Sequence, residues 1–277
     1  MIVFPNCKLN LGLNIIRKRN DGYHDLETIF YPLALTDSLE IIESKSPGKP
    51  LSPFTSTGLS MEGKSASNSC VKAYRILKKD FPEMPGVEIH LHKVIPSGAG
   101  LGGGSADGSF TLLLLNEMFE LKLSQEQLIK YALQIGSDCP FFIINKPCFA
   151  TGRGEIMEEV AVNLSDYKFV LVNPGIHINT GRAFLDMKPG VPAVSVKEII
   201  NTPIEMWKDN LYNDFEKPVF LQHPEIADIK NQLYQLGAIY AAMTGSGSTL
   251  FGIFPKEKQV QLSFPTGYFV KELPCSL

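Results

Sequence analysis

Nowhere in its 277 residues does this chain carry an apolar run approaching the roughly 20 residues that a membrane-spanning helix needs. It also lacks an excess of charge of one sign. Against 29 Asp and Glu stand 26 Lys and Arg, a net charge of −3, so no broad basic field awaits nucleic acid. Phosphate must then be met by local groups, which suits a small-molecule site. The five cysteines are odd in number and include no Cys-x-x-Cys pair, which points to reduced thiols in a cytoplasmic protein. Cys7, Cys70, Cys139, Cys148 and Cys275 read as small buried or half-buried hydrophobes. The first residues have no small-residue cleavage site, and Lys8 breaks their short apolar start, so they do not read as a signal peptide. There is no internal repeat and no low-complexity linker. What the composition does offer is 44% apolar residues, enough for a large core in one big domain or two modest ones.

Glycine, by contrast, is concentrated in one place. The stretch Pro96-Ser97-Gly98-Ala99-Gly100-Leu101-Gly102-Gly103-Gly104-Ser105-Ala106-Asp107 holds five glycines and two serines in twelve positions. It follows an alternating strand pattern at 87–95 and precedes an apolar run from Phe110 to Leu115. A side-chain-poor loop between strand and helix lets several backbone N–H groups converge on one anion, and the helix N-terminus adds about half a positive charge there. A tight strand-to-helix turn needs one or two glycines; five point to a phosphate-binding loop over 96–105.

Two other phosphate-loop patterns fail on context. Gly98-x-Gly100-x-x-Gly103 fits the dinucleotide fingerprint, but Glu120, near the required distance, follows an apolar helical stretch rather than a second strand. Gly58-Leu-Ser-Met-Glu-Gly63-Lys64-Ser65 has the P-loop spacing, yet the preceding 44–57 is rich in Ser, Pro, Gly and Lys and reads as surface loop. No apolar strand ending in Asp is present as a Mg²⁺-binding partner.

The pattern along the chain is α+β. Strands are expected at 2–16, 28–42, 87–95, 156–162, 168–172, 238–243, 249–254 and 267–272. Helices are expected at about 68–79, from the glycine loop to about 121, and at 223–235. Ser124-x-x-Gln127 is a capping box that opens another helix.

Phosphoryl transfer to an alcohol needs a cradle for the triphosphate, a cation for developing charge, and a group to take or steer the hydroxyl proton. Asp138, in Gly-Ser-Asp-Cys-Pro before an apolar run, is the candidate for the last role; a helix or turn cap is the alternative. Lys8 alternates with Leu9, Leu11 and Leu13 and shares a face with Asn10 and Gly12, where a lysine is ordinarily solvated. Ser105 opens the second helix, where its hydroxyl could hold Mg²⁺ or a phosphate oxygen, or simply cap the helix. Thr244-Gly245-Ser246-Gly247-Ser248 is a second glycine–serine cluster, either a further wall of a polyanion site or a hairpin turn. His90 and His92 share a strand face without a carboxylate or cysteine cluster, so no metal site is expected there.

Pro5-Asn6-Cys7-Lys8-Leu9-Asn10-Leu11, the loop at 96–109 and Thr244–Ser248 resemble, in order and spacing, the three motifs of the GHMP small-molecule kinases. Cys7 stands where that family usually has Ala, and Thr244 where it has Ser; both replacements are small. The resemblance covers nearly the whole chain. It implies a GHMP kinase two-domain fold, with a ribosomal protein S5 domain 2-like part over 1–155 and a ferredoxin-like part over 156–277. It also implies ATP and Mg²⁺, with Lys8 and Asp138 as the catalytic pair. Ser105 would be the metal-side hydroxyl, and Pro96, Ser97, Gly98, Ala99, Gly100, Leu101, Gly102, Gly103, Gly104 and Ser105 the ATP cradle. Arg19-Asn20-Asp21-Gly22-Tyr23-His24 and Gly136–Phe142 are similar to the branch acting on a cytidyl diphosphate polyol. That branch implies Tyr23, His24, Lys93 and Phe184 around a cytosine ring. Asn10 would hold the substrate near the transferred phosphate, with Gly245 and Ser246 beside it. No nucleic acid or membrane partner is implied.

Overall fold

The computed structural model describes residues 1–44, 54–61, 65–185 and 187–274. The strands are β1 (Ile2–Val3), β2 (Asn6–Lys18), β3 (His24–Thr36), β4 (Ser38–Glu43), β5 (Thr55–Gly58), β6 (Val87–Lys93), β7 (Cys148–Thr151), β8 (Ile156–Glu159), β9 (Tyr167–Asn173), β10 (Tyr240–Met243), β11 (Leu250–Pro255) and β12 (Phe269–Pro274). The helices are α1 (Ser69–Asp80), α2 (Gly103–Met118), α3 (Gln125–Ile135), α4 (Cys139–Ile144), α5 (Thr180–Leu185), α6 (Val196–Ile199), α7 (Trp207–Asn210), α8 (Glu216–Gln222) and α9 (Pro224–Gln235). The α+β expectation therefore holds. No helix among the described residues is long and apolar enough to cross a membrane.

The chain divides into two compact units, and neither is a contiguous half. One comprises Met1–Cys7, Leu35–Ser97 and Gly102–Asn145; the other Lys8–Ala34, Gly98–Leu101 and Lys146–Leu277. The expected division at 155 thus meets a different partition. The chain leaves the first unit for good after Asn145, but Lys8–Ala34 and the loop tip 98–101 already belong to the second.

In the first unit, a sheet of order β1-β4-β6-β5 carries α1 to α4. β6 alternates as its sequence demands. Val87, Ile89, Leu91 and Lys93 turn inward, and Glu88, His90 and His92 are more exposed. Leu39, Ile41, Tyr74, Leu77, Leu112 and Leu115 are among the residues closing the core beneath it. Asn68 caps α1 by accepting from the Cys70 N–H, and Ser124 with Gln127 forms the expected capping box of α3. The expected strand 2–16 is broken at Pro5, which has no N–H to give to a ladder; its carbonyl instead accepts from Asp37. β5, which leads to the P-loop-like Gly58–Ser65, is exposed along its whole length, unlike the buried strand a P-loop follows. Residues 62–64 of that segment lie outside the described residues, as does Cys275. Cys7, Cys70, Cys139 and Cys148 are buried and form no disulfide among the described residues. His90 pairs with the Thr55 and Thr57 hydroxyls, and His92 with that of Thr57.

The second unit holds two sheets, of order β2-β3-β7-β8 and β10-β11-β9-β12. β9 is the antiparallel neighbour of both β11 and β12. Through its first ten residues β2 is buried on both faces, so the face shared by Lys8, Asn10 and Gly12 is not a solvated one.

Candidate active site

Within the second unit, three segments far apart in sequence converge: the start of β2, the tip of the glycine loop, and the turn between β10 and β11. The Lys8 ammonium is 3% exposed and donates to Asn10 Oδ1 at 2.6 Å and to the Gly100 carbonyl at 3.2 Å. It also lies 5.1 Å from the centroid of the Phe30 ring. Asn10 is a hub. Its Oδ1 accepts from Lys8, from the Gly245 N–H at 3.0 Å and from Thr244 Oγ1 at 3.3 Å, while its Nδ2 donates to Thr28 Oγ1 at 2.9 Å. Thr244 in turn donates to the Gly100 carbonyl at 3.2 Å. Gly100 has φ +80° and its missing Cβ would stand 2.0 Å from the Thr244 carbonyl oxygen, so no other residue fits this approach. Ala99 accepts from the Thr249 N–H, and Leu101 from the Lys8 N–H. The 244–248 cluster is therefore held against the loop tip within this unit, and Ser246 Oγ is 2.8 Å from Thr180 Oγ1.

Within the first unit lie the other end of the loop and Asp138. Gly102, in the left-handed region at φ 73°, is the N-cap of α2, and no side chain caps that end. Ser105 is thus the third residue of the helix rather than its cap. The exposed Gly104 has nothing within 4 Å of where a Cβ would be. The first N–H groups of a helix have no partner within it, so this end presents donors and a positive dipole over glycine backbone. Asp138 precedes α4, half-buried, and makes no side-chain cap bond to it.

Lys93, expected beside a base, is 2% exposed, and its ammonium is committed to two buried carboxylates, Asp37 and Asp107, the latter at 2.8 Å. Burial pulls the Lys93 pKa down, but the two carboxylates outweigh it and the net shift is upward. Burial pushes the Asp107 carboxyl up to about 7, opposed by Lys93 and reinforced by Asp37.

The aromatic residues gather in the second unit. The His24 ring stacks on Phe184 with centroids 4.9 Å apart and 15° between planes, and Phe184 meets Phe215 edge-on. Burial, aided by the Lys18 charge, lowers the His24 pKa. Tyr23 is 53% exposed, with the Arg153 guanidinium 4.4 Å over one face.

Sequence reasoning passed over Thr28 and Asn213. Asn213 is 2% exposed, and its Nδ2 donates to the Met243 and Gly245 carbonyls at 2.7 and 2.9 Å. Its Oδ1 accepts from the Phe215 N–H two residues on, so the amide ties its own loop to the 243–245 turn. A lone Asn in Leu-Tyr-Asn-Asp-Phe offers no motif, and its partners are 30 residues away. Asn213→Ala would remove a donor from the buried Met243 carbonyl and the half-buried Gly245 carbonyl, a loss of about 1–3 kcal/mol. Urea denaturation checks this; a midpoint unchanged from the parent would show that the turn is held by other means.

The GHMP kinases N terminal domain matches residues 68–146, and the GHMP kinases C terminal domain matches 195–263. A Bacteroides fragilis protein named 4-diphosphocytidyl-2-C-methyl-D-erythritol kinase is 51% identical over 269 residues, 97% of each chain. A protein of the same name from Cytophaga hutchinsonii is 48% identical over 92% of each chain. The crystal structure of a 4-(cytidine 5'-diphospho)-2C-methyl-D-erythritol kinase superposes with TM-score 0.78 at 30% identity, covering 91% of this chain and 90% of that one. A homoserine kinase from Cytophaga hutchinsonii shares the fold, with TM-score 0.62 at 13% identity over 91% of this chain and 86% of that one.

Proposed function

Because this chain belongs to the GHMP kinase family, an ATP-using group, we propose that it transfers the γ-phosphoryl group of ATP to the 2-hydroxyl of 4-diphosphocytidyl-2-C-methyl-D-erythritol, in the non-mevalonate route to isoprenoid precursors. The observation that carries the substrate assignment is the 51% identity to a relative of that name across 97% of both chains. The aromatic group Tyr23, His24 and Phe184 agrees with it, since homoserine and mevalonate carry no base to stack. Buried cysteines outside any disulfide among the described residues suit a cytoplasmic enzyme. The test is a phosphorylation assay across the cytidyl substrate, homoserine and mevalonate; preferred turnover of either small acid would refute the assignment.

In this reading the 96–105 loop and the open first turn of α2 cradle the triphosphate. Lys8 and Asn10 hold the acceptor end of the substrate, together with Gly245 and Ser246. Asp138 takes or steers the 2-hydroxyl proton as that oxygen bonds to the γ-phosphorus. The bond from phosphorus to the β,γ-bridging oxygen breaks, and ADP leaves. Among the described residues no group of three or more His, Cys, Asp or Glu could hold a metal ion. Ser105 would contribute one hydroxyl to a Mg²⁺ held mainly by the phosphates. When bound, Mg²⁺ neutralises phosphate charge.

Tyr23 and Phe184 are assigned to the cytosine ring. Truncating either to Ala is expected to cost about 1–3 kcal/mol, or roughly 5- to 150-fold in affinity for the cytidyl substrate, as for base stacking elsewhere. ATP affinity should move by a few-fold at most, since its cradle is formed by other residues. Separate titrations of the two substrates check this, and loss of ATP affinity instead would place these rings on the nucleotide-donor side.

A further inference from the structure

Three buried charges at the base of the glycine loop take no part in the roles above. Asp37 lies between β3 and β4, Lys93 ends β6, and Asp107 is in the second turn of α2; their exposures are 0%, 2% and 2%. All three belong to the first unit. Asp37 Oδ1 accepts from the Val94 and Ile95 N–H groups at 2.6 and 2.9 Å, the residues by which the chain leaves β6 for the loop. Its other oxygen accepts from the Lys93 ammonium, which also donates to Asp107 Oδ2 at 2.8 Å, on the helix where the loop ends. The first residue of that helix sits directly on this group. A Cβ on Gly103 would stand 2.8 Å from Ile95 Cγ2 and 3.3 Å from Lys93 Nζ. The departure and the return of the loop are thus tied through one ammonium.

Stability is a poor reason for such an arrangement. Two buried carboxylates share one ammonium, burial opposes the charged form of Asp107, and Asp107 Oδ1 is buried with no hydrogen-bond partner. Buried ion groups of this kind are often replaceable by apolar side chains at no loss of stability, and their better-supported use is to specify a geometry. We propose that Asp37, Lys93 and Asp107 are positioning residues that fix the base of the glycine loop, and so set the affinity for ATP without touching it.

The proposal rests on the loop being the triphosphate cradle, and the experiment separates the two. KM for ATP and for the cytidyl substrate are measured with melting temperature for Asp107→Ala, Asp107→Asn, Gly103→Ala and Gly104→Asp. Asp107→Ala removes the acceptor of Lys93 on α2; KM for ATP should rise by about tenfold or more, the factor that 1.4 kcal/mol represents, with KM for the cytidyl substrate little changed. Asp107→Asn keeps an oxygen for Lys93 and should restore most of the loss. Gly103→Ala carries no charge change and suits a helix, yet its methyl pushes the first turn off Ile95; it too should raise KM for ATP alone. If Asp107→Ala does not fold, Gly103→Ala decides. An unchanged KM for ATP, both KM values rising together, or an Asn variant no better than Ala overturns the proposal. An unchanged KM for ATP in Gly104→Asp, which adds charge to the cradle itself, would instead refute the cradle.

Discussion

Asp138→Asn is expected to lower kcat by about 10²–10⁴-fold, the usual worth of a positioned general base. The substitution keeps the shape of the side chain and removes its charge, and KM for ATP should be nearly unaffected. The competing role is helix capping, and the structure weakens it, because the Asp138 side chain makes no cap bond to α4. Asn is as good an N-cap as Asp, so a cap would survive this exchange with little change in stability or rate. A steady-state assay with a melting curve separates the roles. Near-normal kcat in the Asn variant would move the proton-handling role to another residue.

How much of this was legible in the sequence depended on how local each signal was. The capping box at Ser124, the alternation along 87–93 and the glycine loop are local patterns, and the structure returns them as α3, β6 and the β6–α2 connection. Alternation alone sets Lys8 on a face where a lysine is ordinarily solvated, because alternation speaks for one face at a time; β2 is covered on both, and only the family motif marked Lys8 as catalytic. The resemblance implies Lys93 around a cytosine ring, and the alternation sets Val87, Ile89, Leu91 and Lys93 on one inward face. A lysine in that register needs buried carboxylates. Asp37 answers to the same rule in Leu35, Asp37, Leu39 and Ile41, and Asp107 lies one helical turn after Gly103. The pieces of the triad were therefore readable singly, while their meeting depended on the packing of α2 against the sheet. The partition into units was not readable, because Lys8–Ala34 joins residues more than a hundred positions away. Nothing in the composition of a strand announces which distant strands it will join.

Gly104→Asp is the sharpest test of the nucleotide cradle, because stability and binding should move in opposite directions. Gly104 is exposed in the first turn of α2, and nothing lies within 4 Å of its missing Cβ. An aspartate there has room, leaves the helix without a mid-helix glycine penalty, and favours the positive end of the dipole by about 0.3–1 kcal/mol. The protein should melt at the parent temperature or slightly above it. A triphosphate held against the same turn would meet this new carboxylate. Two like charges about 4 Å apart repel by roughly 4 kcal/mol at an effective dielectric of about 20. That is about 10²–10³-fold in KM for ATP, and more than one phosphate charge is present. Gly104→Ala controls for the added bulk and should leave KM for ATP within a few-fold of the parent. The repulsion is between exposed charges, so added salt should narrow the gap between Asp and Ala variants. An Asp variant that melts normally and binds ATP as well as the Ala variant would show that the triphosphate does not sit at this helix end. Gly102 and Gly103 would then be explained by the left-handed turn and the close approach to Ile95, and Gly104 would have no structural explanation.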